Sequence, residues 1–103
     1  MKAPKLYAPK PRESAIEAKV VKWARDNGWL CYKFVSPGQR SVPDRMFISP
    51  YGRVVFIEFK RPGGKATVLQ ASEIEKIRQH MVPVEVFDTP DEAIAWLKGL
   101  LWR

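Results

Sequence analysis

Val42-Pro43-Asp44-Arg45 and, downstream, Phe56-Ile57-Glu58-Phe59-Lys60 are the two segments around which the 103-residue chain is arranged. The first sets a carboxylate at the head of an apolar strand that continues through Met46 to Ser49. The second ends a strand running from Arg53 to Lys60. Its run Val54-Val55-Phe56-Ile57 is apolar throughout, as in a central strand covered on both faces. Between them Ser49-Pro50-Tyr51-Gly52-Arg53 has turn composition, with Pro suited to the second position and Gly to a positive φ. A turn centred on Tyr51 sets Asp44 opposite Glu58, at the roughly 5 Å of a cross-strand pair. Two carboxylates that close repel unless a cation lies between them. Strand alternation puts Glu58 and Lys60 on one face and Phe59 on the other.

Hard oxygen ligands of this kind select Mg²⁺ or Mn²⁺, and Mg²⁺ commonly takes one or two carboxylates with waters and a substrate phosphate. Lys60 would then stand near the same phosphate, to orient or deprotonate a water or to stabilise developing charge. The plainer reading is that Asp44 merely begins a strand and that Glu58 and Lys60 form an ion pair on an exposed face. Against it, Glu58 and Lys60 close the most apolar strand, where unpaired charge is costly. Composition points the same way: 18 Lys+Arg against 11 Asp+Glu give a net charge of +7, which favours a polyanionic partner, nucleic acid first.

Working outward, Ser14 to Asn27 reads as a helix. Ser14 and Glu17 have capping-box spacing, and Ile16, Val20, Trp23 and Ala24 form an apolar stripe closed by Asn27-Gly28. Glu17 lies at the edge of that stripe, either completing the cap or reaching toward the sheet; Glu13 shares its face. Trp29 to Val35 reads as a strand interrupted by Lys33, which either snorkels or points into a polar site. Ser36 to Ser41 is a basic, polar loop. Arg61-Pro62-Gly63-Gly64-Lys65 must leave the sheet. Thr67 then caps a second helix with Val68, Ala71, Ile74, Ile77 and Met81 as its buried stripe and Gln70 in its first turn. Pro83 to Phe87 is a fourth strand. Thr89-Pro90-Asp91-Glu92 opens a last helix whose apolar face is broad enough for a core or a dimer contact.

The order is therefore α-β-β-β-α-β-α, an α/β fold in a single domain over residues 13–103, preceded by a flexible basic arm over residues 1–12. A hydrophobic fraction of 46% argues against disorder, and no apolar run is long enough to span a bilayer. The N-terminus has no apolar segment of signal-peptide type. The single cysteine, Cys31, reads as a small buried thiol; a pair with His80 lacks a third, orienting residue.

At these residues the chain resembles the PD-(D/E)XK nuclease superfamily, and within it the virus-type replication-repair nuclease (VRR-NUC) domain. The resemblance runs from about residue 13 to 88, through Ile16-Glu17, Gly28, Lys33-Phe34, Ser36-Pro37-Gly38, Val42 to Arg45, Phe56 to Lys65 and Leu69-Gln70. It implies a restriction-endonuclease-like central mixed sheet of four strands flanked by helices, and Mg²⁺- or Mn²⁺-dependent cleavage of DNA with no small-molecule cofactor. Carried over, Asp44, Glu58 and Glu17 are expected metal ligands, Lys60 the catalytic lysine and Gln70 the second-helix glutamine. Lys33, Arg40, Arg45 and Lys65 are expected DNA contacts. Ser41 departs from the glycine usual before V-P-D, which removes no ligand. The resemblance further implies a homodimer acting on branched DNA of the Holliday-junction kind, as in DNA repair. It also implies a phage or prophage source and hence the cytoplasm of a bacterial host. A flap or nicking nuclease and a non-catalytic DNA-binding module are the alternatives.

Overall fold

The computed structural model describes residues 11–101; the first ten residues of the expected arm, and Trp102, lie outside them. The elements follow the expected order: α1 (Glu13–Asp26), β1 (Leu30–Lys33), β2 (Arg45–Ile48), β3 (Val54–Phe59), α2 (Val68–Gln79), β4 (Val84–Phe87) and α3 (Pro90–Gly99). The four strands form one mixed sheet in the order β1-β2-β3-β4. The first two pairings are antiparallel and β3 with β4 is parallel, as a helical crossover between them requires.

The β2–β3 hairpin has the register expected of a turn centred on Tyr51, with Arg45 opposite Ile57 and Phe47 opposite Val55. Ser49 builds that turn. Its carbonyl accepts from Gly52 N–H at 2.9 Å, and its buried hydroxyl oxygen accepts from the amides of Tyr51 and Arg53 at 3.2 and 3.0 Å. Gly52 takes φ +86°, which only glycine adopts freely.

Alternation along β3 sorts the core into two parts. Val55, Ile57 and Phe59, all at 0% exposure, face α1 and α3 and pack with Ile16, Val20, Ala24, Phe47, Ala93 and Leu97. Phe56 faces the other way, under Ile74 and beside Val84. Each large side chain so buried contributes about 1.5–3 kcal/mol, so the α1/α3 side supplies most of the apolar stabilisation.

Three details differ from expectation. Helix α1 begins one residue early, with Arg12 at the N-cap position and no side-chain cap, so Ser14 and Glu17 form no capping box. Glu17 bonds Arg45 instead. Strand β1 is only four residues long, although Phe34 N–H still donates in register to the Asp44 carbonyl at 2.9 Å, one step past its end. On α2 only Ile74 is fully buried and Ile77 partly so; Val68, Ala71 and Met81 are exposed. The reason is that α2 meets only a small patch of the sheet, around Phe56 and Val84. Too little sheet lies beneath it to cover a five-residue stripe. Helix α3 starts as expected, with Thr89 accepting from Glu92 N–H and Pro90 in the first turn.

Candidate active site

The site is built where β2 begins and β3 ends. Asp44 sits one residue before β2, and its carboxylate Oδ2 accepts the Phe59 amide at 2.8 Å, prolonging the hairpin ladder by a side chain. That fixes Asp44 beside Glu58, which is only 3% exposed on the α2 face of the sheet. Lys60, two residues on, places Nζ 3.3 Å from Glu58 Oε2. Its own amide donates to Phe87 O at 2.9 Å, so the strand stays paired to its last residue.

Helix α2 completes the group through Gln70. Thr67 and Gln70 form a reciprocal capping box: Thr67 Oγ1 accepts Gln70 N–H at 3.1 Å, and Gln70 Oε1 accepts Thr67 N–H at 2.9 Å. With its oxygen so committed, the amide turns Nε2 outward, where it donates to Glu58 Oε2 at 2.9 Å. Gln70 thus reaches Glu58 from the helix start. The spacing Thr67-x-x-Gln70 is the signal in the sequence that announces this orientation.

Electrostatics mark the pair. Burial, with the Asp44 charge beside it, pushes the Glu58 carboxyl up to about 7, against the opposing pull of Lys60. The Asp44 carboxyl is raised too, chiefly by burial and further by Glu17 and Glu13, while the Phe59 amide and Lys60 act to lower it. Two crowded carboxylates that resist ionising together are suited to a divalent cation. Asp44 Oδ1 and Glu58 Oε1 carry no hydrogen bond among the described residues, so each has an oxygen to offer. No third acid, histidine or cysteine among the described residues joins them in a cluster, so waters and substrate would complete the shell.

Of the expected site residues, then, Asp44, Glu58, Lys60 and Gln70 come together. Glu17 is placed differently: Arg45 Nε donates to its Oε2 at 2.5 Å, with both side chains under 20% exposed. Glu13, four residues earlier on the same face of α1, acts electrostatically on both Asp44 and Glu58, and Glu17 acts on Asp44. Arg45 and Lys33 line a cleft of about 560 Å³ along α1 with Glu17 and Arg25. Arg40 shares another, of about 450 Å³, with Asp44 itself. Lys65 is exposed beyond the glycine turn. Cys31 is buried, which raises its thiol, and stands apart from His80, whose ring meets the Lys76 carbonyl.

No family model matches the chain. Solved structures share its fold. A "VRR_NUC domain" superposes with a TM-score of 0.78 at 23% identity, over 84% of this chain and 94% of its own. A "VRR_NUC domain protein" does so at 0.71 and 18%, over 87% and 88%. In sequence, a protein named "Putative nuclease p44" from Acyrthosiphon pisum secondary endosymbiont phage 1 is 42% identical over 80 residues. The match spans 78% of this chain and 86% of that protein. The relative at 42% identity shows the family and the solved structures show the fold, in agreement with the motif order read from the sequence: the chain belongs to the family of this phage putative nuclease and carries the fold of VRR_NUC domains.

Proposed function

We propose that the chain is a divalent-metal-dependent DNA endonuclease that hydrolyses phosphodiester bonds in branched DNA as a homodimer, in the cytoplasm of a bacterial host. The observation that carries this reading is Glu58: a nearly buried carboxylate beside Asp44, held by Lys60 at 3.3 Å and Gln70 at 2.9 Å. An ion pair with a purely structural role needs neither the second carboxylate nor the oriented amide.

Asp44 and Glu58 would hold Mg²⁺ or Mn²⁺, with Glu13 or Glu17 of α1 as the acid nearest to adding a ligand. When bound, the ion supplies Lewis-acid polarisation of the scissile phosphate. Lys60 would face that phosphate and stabilise the charge that builds on it in the transition state. Gln70 holds Glu58 in one rotamer and hydrogen-bonds its ionised form, so the carboxylate is preorganised. The net charge of +7 suits a polyanionic substrate. The homodimer reading draws on Leu30 and Tyr32 of β1 and Val54 of β3, which are 52%, 54% and 37% exposed on a part of the sheet that α2 does not reach. A second copy would cover them, and a two-fold pair of sites suits the symmetry of a four-way junction.

The test is cleavage of labelled linear, flap and four-way-junction DNA with Mg²⁺, with Mn²⁺ and with EDTA, comparing wild type with Lys60→Ala. We expect metal-dependent cutting, strongest on the junction, that falls by about 10³-fold or more in the variant. No metal-dependent cutting of any substrate would overturn the enzyme, leaving a binding module. Equal cutting of all three would remove the junction preference. Light scattering that gives a monomer active on junctions would remove the dimer.

A further inference from the structure

A third cleft, of about 560 Å³, lies between the start of α1 and the turn that follows Lys60. Pro11, Arg12, Arg61, Pro62, Gly63 and Gly64 line it. It contains two guanidinium groups and no acid. Neither Arg12 nor Arg61 makes a side-chain hydrogen bond or ion pair among the described residues. Other arginines do: Arg45 binds Glu17, Arg25 the Cys31 carbonyl, and Arg78 the Val84 carbonyl and Glu85. Two exposed, unpaired, like charges on one small cleft are held there by the fold and not by each other.

The turn that sets Arg61 is closely specified. Gly63 takes φ +81° and its amide donates to Asp88 Oδ2 at 2.8 Å. Gly64 N–H donates to Arg61 O at 2.8 Å, and a Cβ on Gly64 would stand 3.0 Å from that oxygen and 3.2 Å from Lys60 Cβ. Both glycine amides are thus already engaged, one by Asp88 and one within the turn, and an anion in the cleft would be recognised by the guanidiniums. Both arginines adjoin residues that act on Glu58. Arg61 directly follows Lys60. Arg12 directly precedes Glu13, whose charge acts on Asp44 and Glu58. The cleft therefore flanks the carboxylate site without sharing its acids. The α1 cleft with Lys33 is a weaker anion site, because Glu17 and Asp26, which pair with Arg45 and Lys22, lie within it.

We propose that this cleft grips a phosphate of the substrate strand next to the one being cleaved, through Arg12 and Arg61. The inference rests on the nuclease reading and adds two positioning residues to it. Guanidinium matches phosphate geometry by paired N–H donors, and each phosphate neutralised adds about 0.9 to the slope of log affinity against log salt.

The experiment measures binding of a fluorescein-labelled DNA by anisotropy, in Ca²⁺, across about 50 to 200 mM salt. It compares wild type, Arg12→Ala/Arg61→Ala and Arg12→Lys/Arg61→Lys. The alanine pair should flatten the slope by about 0.9, so that the affinity lost over that range shrinks by about 3.5-fold, and the lysine pair should keep the wild-type slope. A single methylphosphonate beside the cleavage position should weaken wild type and leave the alanine pair unaffected. An unchanged slope, with an equal methylphosphonate penalty in wild type and variant, would overturn the phosphate site while wild-type cutting still upheld the nuclease. Wild type that neither bound nor cut DNA would overturn both. Since Arg12 and Arg61 are exposed, thermal melting should show all three proteins folded.

Discussion

The two faces of β3 are made from consecutive residues and behave as opposites. On one, Val55, Ile57 and Phe59 are fully buried against α1 and α3, helices that bring only apolar groups to that contact. On the other, Phe56 begins an apolar cluster that gives way, two residues on, to Glu58 and then Lys60. What permits charge on the second face is the helix that closes it. Helix α2 packs on the sheet through Ile74, and its N-terminal turn supplies an amide to Glu58. A buried carboxylate is tolerable where donors surround it and ruinous where only methyl groups do. The same strand therefore carries both the fold's strongest packing and its candidate chemistry, divided by the pleat.

The difference can be broken most directly from the dry side. Phe59→Ala should cost about 3–5 kcal/mol by denaturant unfolding, since it opens a cavity in the α1/α3 core. On the wet side the largest effect is one of pH. Burial raises Glu58, so the native state keeps its proton to about 7, while the unfolded chain releases it near 4.5. The native state binds more protons in that window. The Glu58 contribution to the stability of the metal-free protein should therefore be fully present below pH 4.5 and fall by about 3 kcal/mol as pH rises to 7. Denaturant melts in EDTA should show this decline in wild type, and Glu58→Gln should flatten it. A profile identical in the two proteins would contradict the buried, crowded carboxylate.

Smaller effects sharpen the role of the helix start. Gln70→Ala removes half of the capping box and the donor to Glu58, and should lower stability by about 1 kcal/mol. It should also move the Glu58 titration, followed by carboxyl NMR, to higher pH, because the ionised form loses a hydrogen bond. Smallest of all, Ser14→Ala should change stability by less than about 0.5 kcal/mol, since α1 has no side-chain cap to lose. A loss near 1 kcal/mol there would restore the capping box that the spacing suggested.

Much of this was legible because it rests on local chemistry. The apolar run at Val54 to Ile57 announced an interior strand, and Pro50 with Gly52 announced the turn that fixes the hairpin register. From register and alternation, Asp44, Glu58 and Lys60 fall together without further information. Side-chain competition was less legible. Glu17 had two plausible roles by spacing, the cap or a reach toward the sheet, and Arg45 of β2, 28 residues away, drew it to the sheet and away from the cap. The α2 stripe failed for a related reason: Val68 and Met81 have the right period, but how much sheet lies beneath a helix is a property of the whole fold. Arg12 and Arg61 were invisible as a pair, since nothing in either segment signals the other.

The double engagement of Gln70 has a consequence for motion. Its amide oxygen is part of the first turn of α2, and its amide nitrogen is part of the Glu58 environment, so the two cannot fray independently. Opening that turn frees Thr67 N–H and releases the carboxylate in one event. The Thr67 amide is therefore a built-in reporter. Its hydrogen-exchange rate should slow when a cation or substrate steadies Glu58, and should rise when Glu58→Ala removes the anchor. Order at a helix end and readiness at a strand end, 12 positions apart in the chain, become a single measurable equilibrium.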